Sequence, residues 1–139
     1  MEPLNVDNVE TVTLESTATP DAAWVGGFFA YGGKDADKSV IISFEIPPGK
    51  RLGKHIDTAE ETQFILSGSG ELIRDSGTDQ IKAGDVIVLK INEAHDLKNT
   101  GTENLHVIGF FSAPTVEQHW DIERWPPDDS KVTGPPNRG

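Results

Sequence analysis

Residues 49–68 read GKRLGKHIDTAEETQFILSG. His55 and Asp57 stand two apart, and so do Glu61 and Gln63. On extended backbone, residues at i and i+2 point to the same side. The stretch therefore predicts two short strands, one presenting a His/Asp pair and the next a Glu/Gln pair. Gly49, Gly53 and Gly68 fall where tight turns between such strands are needed. Further along, His95 follows the apolar run Val86 to Leu89. Divalent ions of hard or borderline character take imidazoles and carboxylates that converge from neighbouring strands. Two histidines with one carboxylate form a facial set with open positions, as in non-haem iron sites.

Outward from this stretch, helical periodicity is almost absent. Short apolar runs predict strands at Val9 to Leu14, Trp24 to Tyr31, Ser39 to Ile46, Glu61 to Ser67, Glu71 to Arg74, Val86 to Leu89, Asp96 to Lys98 and Leu105 to Phe111. Turn signals such as Pro47-Pro48-Gly49, Gly68-Ser69-Gly70 and Ala83-Gly84-Asp85 separate them. This is the pattern of an all-β sandwich or barrel. At the end of the chain, Pro114 to Trp125 reads as a short helix with Thr115 as N-cap, stopped by Pro126-Pro127. The last dozen residues read as loosely ordered. Trp120 and Trp125 are too apolar for a free tail, so they are expected to pack on the barrel or on a second subunit.

The 139 residues suit one domain, 1–139, with a barrel core over about 9–112 and a tail over 113–139. Cysteine is absent, which restricts any metal to nitrogen and oxygen ligands. A net charge of -11, from 12 basic and 23 acidic side chains, disfavours nucleic acid and anionic lipid as partners. No segment approaches the ~20 apolar residues of a membrane span. The acidic start, MEPLNVDNVE, lacks the layout of a secretory signal. These features read as a soluble, cytoplasmic protein.

Two spacings resemble the paired motifs of the cupin family. Gly49 is followed by five residues, His55-Ile56-Asp57, three residues, Glu61, six residues and Gly68, matching the first motif with Asp57 in place of its second histidine. Gly84 is followed by five residues, Lys90-Ile91-Asn92, two residues, His95, three residues and Asn99, matching the second motif with Lys90 and Asn92 in place of its Pro and Gly. Asn tolerates positive φ nearly as well as Gly. The resemblance covers roughly Val40 to Ser112. It implies a small single-domain, metal-binding cupin with a double-stranded β-helix, or jelly-roll, barrel.

Carried onto this chain, the resemblance makes His55, Glu61 and His95 metal ligands. Asp57 is then a fourth ligand, a partner to the ligands, or a general base beside an open position. Gln63 points inward with Glu61, as a substrate hydrogen-bonder or a satisfied wall residue. The ligand set favours iron or manganese, with zinc or nickel also accommodated. The implied function is a metal-dependent enzyme acting on a small organic molecule, first of all a dioxygenase-like oxidoreductase, with Asp57 or Gln63 orienting or deprotonating the substrate. Alternatives are a redox-neutral lyase, isomerase, cyclase or dehydratase, and a non-enzymatic binding module. The family also implies a homodimer. Arg51 and Lys54 read as solvent-exposed, His106 as satisfied or edge-exposed, and His119 as packed in the tail. The six phenylalanines read as core, about half of them facing the barrel interior.

Overall fold

Residues 2–138 are described by a computed structural model. Buried and exposed side chains alternate along the apolar runs, most clearly at Val40–Ile46, Glu61–Ser67 and Leu105–Phe111. That alternation gives each strand one face for the core and one for water. Thirteen strands result: β1 (Val12–Glu15), β2 (Ala23–Gly32), β3 (Asp35–Ala36), β4 (Val40–Ile46), β5 (His55–Asp57), β6 (Glu61–Ser67), β7 (Ser69–Arg74), β8 (Gly77–Lys82), β9 (Val86–Leu89), β10 (His95–Asn99), β11 (Leu105–Phe111), β12 (Gln118–Trp120) and β13 (Val132–Thr133).

One sheet runs β1-β2-β4-β11-β6-β9, with β3 attached to β2, and the other runs β13-β12-β5-β10-β7-β8. The pairings are antiparallel except β2 with β3. Strands adjacent in sequence repeatedly land in opposite sheets, which is the jelly-roll arrangement predicted above. No helix of the described residues is long and apolar enough to cross a membrane.

Register fixes what faces the interior. In the first sheet Val40, Phe111, Glu61 and Leu89 form one row, and Phe28, Ile42, Gly109, Gln63 and Ile87 the next. In the second sheet Gln118 lies opposite Asp57, while Trp120 and His95 lie opposite His55. The polar residues thus sit among core side chains, including Ile42, Phe111, Leu89 and Leu97. Trp24, Trp120 and Trp125 close one part of the core, with ring centroids 4.9 to 6.2 Å apart.

The predicted helix over Pro114 to Trp125 does not form. Gln118–Trp120 instead extends alongside β5 as β12. The free edge of β5 offers backbone partners, and the two-residue alternation of Gln118 and Trp120 matches a strand that buries one face. Tertiary pairing here overrides local helix signals. The tail is also more ordered than its composition suggests, because Val132–Thr133 pairs with β12. Phe44 and Phe111 are core, but Phe64 and Phe110 are 40% and 43% exposed, on the outer parity of β6 and β11.

Asn99 joins the two sheets. Its buried NH2 group donates to the carbonyls of Ile46 (2.7 Å) and Glu103 (2.8 Å), and its oxygen accepts from the Gly101 amide (2.9 Å). Asn99→Ala strands these backbone groups and should cost about 2–4 kcal/mol. Urea denaturation will show this as a lower midpoint at unchanged m-value. A shift near zero would contradict the assigned role.

Candidate metal centre

The short strand β5 owes its conformation to what flanks it. Gly53 adopts φ +113°, and a Cβ there would lie 2.8 Å from Glu123 Cγ and 3.1 Å from Trp120. The chain can turn into β5 only because this residue has no side chain. His55 and Asp57 then point inward, buried at 2% exposure each, and face His95 on β10 at 1%.

Each histidine is held by its own backbone. His55 Nδ1–H donates to the Gly53 carbonyl (2.8 Å), and His95 Nδ1–H donates to the Glu93 carbonyl (2.9 Å). The donor role follows because a carbonyl only accepts. Both Nε2 atoms therefore carry lone pairs, directed at one carboxylate. Asp57 Oδ1 lies 3.6 Å from His55 Nε2, and Asp57 Oδ2 lies 3.5 Å from His95 Nε2. These distances are too long for good hydrogen bonds. They match ligands sharing one ion, since bonds of about 2.1 Å put neighbouring ligand atoms roughly 3.0–3.5 Å apart. Among the described residues both Asp57 oxygens and His95 Nε2 are buried with no N–H or hydroxyl partner, and the Glu61 carboxyl lies against Asp57.

Burial dominates the electrostatics. It lowers the pKa of both imidazoles, and the nearby His95 adds to the shift at His55. It pushes Asp57 up to about 8. Glu61 is raised well above the ordinary carboxylate range, by burial first and by the Asp57 charge second. A cation among the three side chains would oppose this by favouring the charged carboxylate. His55, Asp57 and His95 offer ligand atoms within 4.8 Å of one another, so the residues fit a divalent ion.

The sequence reading placed Glu61 in the ligand set ahead of Asp57. The structure brings Asp57 between the imidazoles to form a close group of three, and Glu61 adjoins that group through a carboxyl–carboxyl contact with Asp57. Glu61 Oε1 also accepts from Gln63 Nε2 (3.1 Å). Its other oxygen lies over Gly109 of β11, where a Cβ would collide with it. Gln63 is inward as predicted, and its Oε1 is buried with no partner.

Arg51 departs from the exposed position expected of it. Its side chain, 19% exposed, binds Glu123 (2.7 Å), Asp21 (3.2 Å) and Asp96 (3.3 Å). Asp96 in turn accepts from the Gly53 amide (2.8 Å), and Gly53 holds the His55 ring. Trp120 covers that ring with centroids 4.1 Å apart. Lys54 is exposed, as predicted. His106 is satisfied on the outer face by Ser43 Oγ (2.8 Å). His119 is less packed than expected, 42% exposed beside Glu117. Asn92 adopts φ +61°, replacing the glycine of the second motif without changing its turn.

Gly109 escaped the sequence reading, although a glycine inside an apolar strand signals close approach by another group. The Arg51 contacts with Asp96 and Glu123 had no local signal, since they join positions far apart in sequence.

Comparison with known proteins matches residues 42–111 to the family described as "Cupin domain". The oxalate-binding protein of Thermotoga maritima is 39% identical over 71 residues, covering 50% of this chain and 58% of that protein. Auxin-binding protein 1 of Arabidopsis thaliana is 30% identical over 102 residues, covering 67% of this chain and 50% of that protein. The chain thus spans 58% and 50% of the length of these two curated relatives. The crystal structure of a predicted oxalate decarboxylase from Thermotoga maritima superposes with a TM-score of 0.71 at 21% identity, over 81% of this chain and 99% of that one.

Gly109→Ala should force the Glu61 carboxylate from its position and destabilise the barrel by about 1–3 kcal/mol. In a Glu61→Ala background the space is free, and most of that cost should vanish. A urea-denaturation double-mutant cycle measures the difference. Equal costs in both backgrounds would show that Gly109 does not make room for Glu61.

Proposed function

The chain belongs to the cupin family, and on that premise we propose that it is a metal-dependent enzyme acting on a small oxygen-bearing organic molecule. The observation that carries the reading is Asp57, whose two buried oxygens lie between two imidazoles, receive no hydrogen bond from an N–H or hydroxyl group and adjoin a second carboxyl, Glu61. Burying a carboxylate so placed without a positive partner is costly. A divalent ion on His55, Asp57 and His95 removes that cost. Two imidazoles and a carboxylate suit iron or manganese, and also accommodate zinc or nickel.

Such an ion, when bound, supplies Lewis-acid chemistry and, if it is iron or manganese, oxygen-dependent redox chemistry. The chain's own groups do the rest. His55 and His95 are locked by Gly53 and Glu93 with Nε2 presented inward. The free Gln63 oxygen is ready to accept a hydrogen bond from a substrate hydroxyl. Glu61, tied to Gln63, is a further oxygen donor on the same face. The burial of all five groups keeps bulk water away from the reacting molecule. We favour oxidation of a chelating enol, phenol or keto acid, because the three-ligand set is that of non-haem iron oxygenases.

A second reading, redox-neutral turnover or binding alone, draws support from the oxalate-binding relative. A small chelating acid held by the same ion would need no oxygen.

Elemental analysis of protein purified without a metal-affinity tag should find about one equivalent of iron or manganese per chain. His95→Ala should weaken metal affinity by at least about tenfold. Oxygen consumption with chelating enols, phenols or keto acids would support oxidation. Product formation without oxygen uptake would move the assignment to a lyase or isomerase. A wild-type chain that takes up no iron, manganese, nickel or zinc would refute the metalloenzyme reading.

A further inference from the structure

A cavity of about 760 Å³ opens beside the candidate metal centre. Its wall includes Val12 and Leu14 of β1, Trp24 and Phe28 of β2, Ile42 of β4 and Gln118 of β12. Register puts these side chains on the inward faces. Leu14 lies opposite Trp24, Phe28 opposite Ile42, and Gln118 opposite Asp57. The cavity therefore backs onto the face that carries the metal candidates, with Ile42 and the Trp24–Trp120 stack between them, and none of those candidates lines it. Ile42 is also opposite Gly109, over which the Glu61 carboxylate lies. The inner end of the cavity thus adjoins the site, while residues from both ends of the chain wall its outer part.

Ile42 is the one lining residue that falls within residues 42–111, the segment matched by the family. The barrel motifs thus supply the ion's ligands, and the flanking segments supply the pocket. The volume and the largely apolar wall are those of a site for a mid-sized organic molecule. Oxalate is far too small and too polar to fill it. Polar and charged side chains also reach the wall, among them Glu10, Lys34, Gln118, Thr133 and Arg138. Gln118 gives its amide oxygen to Thr133 Oγ1–H (2.8 Å), which leaves its NH2 group as a donor. The Gln118 NH2 group, Lys34 and Arg138 are donors at this wall, which suits a ligand that carries oxygen.

We propose that this cavity binds a planar aromatic molecule bearing at least one oxygen acceptor. The proposal rests on the metalloenzyme reading for what the bound molecule undergoes, but not for binding itself. Trp24 stacks on Trp120 (6.2 Å, 29°), and Trp120 packs on His55 (4.1 Å), so the ligand shares an aromatic wall with a metal-binding ring.

The test is calorimetric titration of the full chain with 2-naphthol, with oxalate in parallel. The expected result is saturable binding of one 2-naphthol per chain. Val12→Arg should weaken it by at least about tenfold, by placing a cation in the apolar wall. Val12 is 59% exposed, so the variant should fold. Phe28→Ala should weaken binding through lost contact, and circular dichroism will check that both variants are folded. Any binding of oxalate should be the same in wild type and Val12→Arg, and metal content should be unchanged in Val12→Arg. Absence of saturable 2-naphthol binding, or equal affinity in wild type and both variants, would overturn the proposal. A dimer that leaves 2-naphthol unbound would also overturn it, assigning the cavity to a second copy. Binding of 2-naphthol to a chain that holds no metal would leave the pocket standing and remove the enzyme reading. Metal without 2-naphthol binding would do the reverse.

Discussion

Everything around the interior of this barrel answers to the burial of Asp57 between two imidazoles. A carboxylate and two histidines at 2% exposure or less cannot rely on water, and among the described residues no N–H or hydroxyl group donates to the Asp57 oxygens, whose carboxyl neighbour is Glu61. The arrangement is stable without strain only if something positive enters, or if a proton is retained. The surrounding structure keeps both options open by fixing the rings and leaving the point between them free of protein atoms that bond there.

The fixing is done at a distance. Arg51 joins Asp21, Asp96 and Glu123, which come from three separate parts of the chain. Asp96 passes this constraint to the Gly53 backbone, and Gly53 sets the tautomer and the angle of His55. Glu123 is wholly buried, so its pairing with Arg51 is an interior ion pair whose desolvation must be offset by good geometry. Ser16 and Thr19 satisfy its remaining acceptor capacity. The loop that leads into β5 is thus anchored to both the beginning and the end of the described chain.

Much of this was legible beforehand for simple reasons. The period of two along β5 and β6 placed His55, Asp57, Glu61 and Gln63 on one face, and the glycine spacing gave the turns. Parity could not give the distance of each carboxylate from the histidines, because that depends on side-chain direction and on the space above Gly109. Two further features were out of reach for the same reason. Arg51 looked like a loop cation because its partners are distant in sequence, and the segment around Gln118 carried helix signals that the vacant edge of β5 overrode. Local patterns reported local geometry, while edges and ion pairs were settled by what arrived from elsewhere.

The clustering of indoles has an optical consequence. The chain contains three tryptophans, and all three are in one cluster with neighbouring centroids no more than 6.2 Å apart. Excitation absorbed by any one of them is shared among close neighbours, and one member of the group touches His55. Tryptophan fluorescence from this protein is consequently a signal from a single place, with no indole elsewhere to dilute it. Light emitted by the barrel reports on the wall between its cavity and its ionisable centre.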